Sequence, residues 1–85
     1  MHTNILPKVS IHVELHDVED RVTATATVEG LSEPFTAEAS AAHGRGDAAP
    51  LEIAPDLAVA RVLNRLQHGI IESIHERIDR SGDDI

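Results

Sequence analysis

Between Pro55 and Arg80 the large apolar residues Leu57, Val59, Val62, Leu63, Leu66, Ile70, Ile74 and Ile78 recur at intervals of three and four. That spacing lines them along one side of an α-helix and constrains the fold more than any other stretch. The chain before it consists largely of Ala, Thr and Val in alternation, so the helix carries most of the bulk from which a core can be built. The 85 residues make one domain, and a chain of this length has little apolar surface to spare. Eleven residues are alanine, and Phe35 is the single aromatic. Each alanine buries far less area than a leucine or isoleucine, so composition favours a homodimer in which a second copy supplies the missing burial.

In chain order, Met1–Pro7 has no period and reads as a flexible arm. From Lys8 to His16, Val9, Ile11, Val13 and Leu15 alternate with Ser10, His12, Glu14 and His16, the pattern of a half-buried strand. An acidic turn follows at Asp17–Asp20. Val22, Ala24, Ala26 and Val28 then alternate with threonines, and after a turn over Gly30–Pro34 the same rule gives a third strand of Phe35, Ala37, Ala39 and Ala41. Residues 8–42 therefore form an antiparallel β-meander, with small residues on its inner face to let a helix approach and Val9, Ile11, Val13, Leu15 and Phe35 filling beside it. A connection over 43–54 leads to the helix over 55–80, which Pro55 and Asp56 open. A polar tail occupies 81–85. The expected class is α+β, a three-stranded antiparallel meander followed by one long C-terminal helix packed on one sheet face.

Placed at about 100° per residue, Val59, Val62, Leu63, Leu66, Ile70 and Ile74 share the core arc, while Arg61, Arg65 and His68 lie on the opposite, solvated side. The apolar arc is wider than three strands can cover. Ile71, Ile74 and Ile78 drift round its flank and are the expected dimer interface.

The net charge of −8 is uneven. Residues 1–54 hold three cations against nine acids, residues 55–80 hold four of each, and Asp83 and Asp84 supply the rest. No long-range field draws this chain to DNA, and only a local basic patch could engage RNA. Arg61, Arg65 and His68 form that patch. Exposed aromatics of the kind that stack bases are missing from the sheet. No stretch has the length and apolarity of a membrane span, and the absence of cysteine and of a leader pattern points to the cytoplasm.

Six histidines invite a metal reading, yet His12, Glu14 and His16 lie about 6.8 Å apart along their strand, and His68 and His75 are separated by about 10.5 Å of helix rise. Neither pattern chelates one ion. Ser40, His43 and Asp47 have no catalytic spacing, and the glycine-rich run His43–Asp47 lacks the lysine and the strand-to-helix placement of a phosphate loop. The reading is of a protein with no catalytic, cofactor or metal residues.

The helix entry Leu51-Glu52-Ile53-Ala54-Pro55-Asp56-Leu57-Ala58-Val59-Ala60-Arg61-Val62-Leu63, together with the strand Thr23-Ala24-Thr25-Ala26, resembles an actinobacterial family of unknown function described as double-stranded-RNA-binding-domain-like (dsRBD-like). Asp47, Glu52, Ile53, Asp56, Leu57, Ala60, Arg61 and Leu63 stand at family-like positions. The resemblance implies a dsRBD-like β-β-β-α domain and a non-enzymatic stress or dormancy protein. One member of that family forms a dimer compared with ribosome hibernation factors, which implies a ribosome or RNA partner. The other reading from the sequence is a protein–protein interaction or regulatory module without nucleic acid.

Overall fold

The computed structural model describes residues 8–44 and 50–83, the last three as backbone only. Strands β1 (Ser10–Val18), β2 (Arg21–Glu29) and β3 (Phe35–Ala42) form one antiparallel sheet in the order β1-β2-β3, followed by helix α1 (Ala54–Asp83). The β-β-β-α arrangement is the one the alternations require. The expected arm at Met1–Pro7 and part of the 43–54 connection, with Arg45 and Asp47, lie outside the described residues. The helix begins at Ala54 and continues through Ser81, Gly82 and Asp83, three residues of the expected polar tail. A turn over Pro50–Ile53 leads into it, with the N–H groups of Ile53 and Ala54 both donating to the Pro50 carbonyl at 2.9 and 3.0 Å.

Register decides which side chains meet. Ile11 pairs with Val28, Val13 with Ala26 and Leu15 with Ala24, while Val22 faces Ala41 and Ala24 faces Ala39. All these side chains therefore share one sheet face, the face on which α1 rests. The threonines of β2 line the other.

The helix does not sit over the middle of the sheet. It lies along β2 and β3, and β1 is exposed along its whole length. The expectation that β1 is half-buried and fills in beside the core is thus corrected: Ile11, Val13 and Leu15 remain 55%, 37% and 46% exposed. The reason is size. Val22, Ala24, Ala26, Val28, Ala39 and Ala41 are buried and short, so the helix backbone settles close to them and is drawn off the bulkier β1 row.

The helix contributes its own small residues to this contact. Ala54, Ala58, Val62 and Leu66, an unbroken i, i+4 ridge, are its buried positions. The expected core arc is accordingly displaced: Val62 and Leu66 belong to it, Val59 and Ile70 are half-buried, and Leu63 and Ile74 stand about two-fifths exposed on its flank. Six of the ten core residues are alanine, while Ile11, Leu15, Leu63, Ile74 and Ile78 remain exposed. Thirty helical residues span about 45 Å and eight or nine strand residues only about 30 Å, so the C-terminal turns project past the end of the sheet.

An Ala-on-Ala contact has no room for a longer side chain. Replacing Ala58 by Leu, at a site fully shielded from solvent, should destabilise the fold by about 1–3 kcal/mol through overpacking. Urea unfolding monitored by circular dichroism reads this as a lowered midpoint at unchanged slope.

Candidate functional site

Two edges of the sheet are finished in opposite ways. Along β3, Arg61 Nη1 donates to the Ser40 carbonyl at 2.9 Å and Arg65 Nη1 donates to the Glu38 carbonyl at 2.8 Å. These are carbonyls of an edge strand, which no fourth strand takes up. The expectation that Arg61 and Arg65 form a purely solvated outer face is therefore corrected. They sit one turn apart on the helix flank above β3, and their long side chains reach down over the strand edge.

A third arginine joins them from the sheet. Arg21 opens β2 opposite Ala42, and its Nη1 donates to Ser40 Oγ at 2.7 Å. Arg21, Arg61 and Arg65 with Glu38, Ala39, Ser40 and Asn64 line an open cleft of about 500 Å³. His68, the third member of the expected basic patch, is exposed one helical turn beyond Asn64 and does not line it. Arg21 was missed from sequence because strand numbering alone does not bring it to the helix. The hairpin register does: only Glu19 and Asp20 separate the paired Val18 and Arg21, which fixes Arg21 at the start of the strand beside the end of β3.

Along β1 the finish is different. Among the described residues no side chain and no backbone group outside the β1–β2 ladder bonds the strand's outer polar groups, and the strand has neither proline nor lysine. Leu63 projects about 180° from the midpoint of Arg61 and Arg65 round the helix, hence toward the β1 side, and Ile74 lies close to the same direction. The row Ile11, Val13, Leu15 and the wall Leu63, Ile74 thus bound an apolar shelf that α1 leaves uncovered. Of the three residues expected at a dimer interface, Ile74 belongs to this wall, whereas Ile71 and Ile78 lie farther round, on the outer side of the helix. Ile71 and Ile78 are 40% and 62% exposed.

The remaining candidates are tethers. His43 Nε2 stands 2.9 Å from Asp17 Oδ1, and the His43 N–H donates to the Asp20 carbonyl at 2.7 Å, fastening the end of β3 to the β1–β2 turn. Asp17 rather than Ser40 is the residue His43 meets. Arg77 donates to Ser32 Oγ at 2.7 Å, holding the overhanging helix to the β2–β3 turn. His16 and Glu14 approach to 3.7 Å on the exposed face of β1. Among the described residues no group of three or more His, Asp or Glu side chains is placed to hold a metal ion, and no helix is long and apolar enough to cross a membrane.

Comparison with curated proteins and with solved structures finds no match. A protein-family model does match, over residues 7–84, and thus covers all three strands, the connection and the whole of the helix. The chain belongs to the Rv2632c-like family.

Proposed function

We propose that this chain is a non-catalytic, cytoplasmic interaction module that works as a homodimer, two copies joining their sheets antiparallel through β1. The observation that carries this reading is the apolar shelf: a strand edge with no bonded cap, whose inner row of Ile11, Val13 and Leu15 is left 37–55% exposed and ends at Asp17, held by His43. A two-fold axis through Val13 sets Val13 against itself and Ile11 against Leu15 of the second copy. It also sets His12 against Glu14 of the second copy on the open face, a complementary pair. An axis one residue on, through Glu14, would oppose two carboxylates, so the Val13 register is preferred. The product is a six-stranded sheet with both helices on one face. Between them runs an aliphatic cradle floored by β1 and walled by Leu63 and Ile74, suited to an apolar segment of a partner protein.

Light scattering across a dilution series tests the dimer. Twice the mass of one chain is expected at tens of micromolar and above, since half-exposed aliphatic side chains each withhold about 1 kcal/mol until covered. A strict monomer at millimolar concentration would refute the reading.

A second reading, of a dsRBD-like stress or dormancy protein acting at the ribosome, is supported by the resemblance of the helix entry and by the arginine cluster at the β3 edge. The net charge of −8 works against it. Sedimentation of the purified protein with ribosomes at low salt decides: no co-sedimentation removes this reading and leaves the dimer standing.

A further inference from the structure

The structure assigns a second, independent site: we infer that the cleft at the β3 edge binds a single small phosphate-bearing ligand, a phosphomonoester or inorganic phosphate, through Arg21, Arg61 and Arg65. The sequence carries fifteen carboxylates, yet among the described residues no arginine comes within ion-pairing distance of one, and the pairs that form both use histidine. Three guanidiniums instead converge on neutral acceptors, the Ser40 and Glu38 carbonyls and the Ser40 hydroxyl. Each guanidinium has five N–H donors, and within the cleft each gives one of them to the protein. The remaining donors, aimed by those anchoring bonds, suit an oxyanion with several acceptor oxygens. The Ser40 hydroxyl and the exposed Asn64 amide, both lining the cleft, add further donors.

A cleft of about 500 Å³ accommodates a phosphate with a modest organic group. Glu38 lines the same cleft; three guanidiniums outweigh its one carboxylate for a single bound phosphate, whereas it adds to the repulsion of the phosphates that flank one in a polymer. Among the described residues no further lysine or arginine extends the cleft, and Arg77 is bonded to Ser32 at the far end of the sheet. A compact dianion gains the local attraction of three cations without the long-range repulsion of an acidic chain for a polyanion. The site lies on the edge opposite β1, so it stays open whether or not the protein dimerises.

The test is backbone-amide NMR with inorganic phosphate and adenosine monophosphate, titrated at pH 7.5 against sodium chloride of matched ionic strength. Saturable shifts centred on Ser40, Asn64 and Arg65 are expected, with millimolar dissociation constants. Arg21→Gln, on an exposed side chain outside the helix contact, should weaken binding about fivefold to tenfold with the melting temperature unchanged. Asn64→Asp, which removes an amide donor and adds a second carboxylate to that of Glu38, should weaken binding by tenfold or more. The proposal is overturned if phosphate produces no more shift than chloride, or if Arg21→Gln and Asn64→Asp bind as the parent does. Binding of an RNA oligonucleotide at this cleft without binding of either small phosphate would overturn it as well.

Discussion

Replacing Val13 by Arg should turn the protein into a folded monomer. In the proposed dimer the two-fold axis through β1 brings residue 13 of each copy opposite itself, so the substitution would set two guanidiniums directly across the strand pair and remove two aliphatic contacts. Like charges facing each other and the lost burial together correspond to roughly 3 kcal/mol, a weakening of dimerisation of about a hundredfold. The fold itself should survive, because Val13 is already 37% exposed within one chain and makes no part of the alanine-lined core. Sedimentation velocity reads the loss of the dimer and circular dichroism the retained fold. Val18→Arg is the control: Val18 is 63% exposed at the end of the same strand, on the opposite face, and the dimer should persist in that variant. Equal loss in both variants would mean that added charge anywhere on β1 is enough, and the Val13 register would be wrong.

Gly30→Ala should cost the fold about 3 kcal/mol and lower the melting temperature by roughly 10–20 °C. Gly30 follows β2 with φ of +104°, a region L-residues rarely adopt, and a Cβ there would collide with the Lys8 carbonyl oxygen and lie 3.1 Å from the Val9 Cα. Backbone surrounds the position, so nothing flexible can yield, and the chain entering β1 would have to move away from the end of β2. Gly44 separates the two causes. It also has a positive φ, +133°, but an added Cβ meets nothing within 4 Å, so Gly44→Ala should cost only the conformational part, about 1 kcal/mol. Thermal melts of the two variants side by side check the difference. Similar losses would show that the approach of Lys8 to Gly30 carries no weight.

The elements were legible from period alone. Val22, Ala24, Ala26 and Val28 alternating with threonine could only be a strand, and the three- and four-residue spacing after Pro55 could only be a helix. What period does not carry is the lateral position of the helix on the sheet. Ile11, Val13 and Leu15 have the same alternation as the β2 row, yet one row is covered and the other bare, because coverage follows from how closely the small side chains of β2 and β3 admit the helix. Side-chain length likewise decides where the arginines go. Arg61 and Arg65 lie on the polar side of a helical wheel, but a wheel has no lengths, and a guanidinium on a four-bond stem reaches a strand edge that a shorter residue would leave to water. Arg21 entered the cleft through hairpin register, a long-range relation that a composition of alanines and threonines marks only at the two-residue turn.

The unequal treatment of the two sheet edges has a consequence for how far association can go. Growth by strand addition needs two free edges on every unit, as in a fibril, where each chain is both acceptor and donor. Here Arg61 and Arg65 occupy two of the outward carbonyls of β3, at Ser40 and Glu38, whereas among the described residues the edge of β1 carries no such cap. In the proposed dimer each molecule would thus be monovalent. A first joining would use up the open edge of both participants, the series would terminate at its second member, and a surface that could invite open-ended polymerisation would become a counting device.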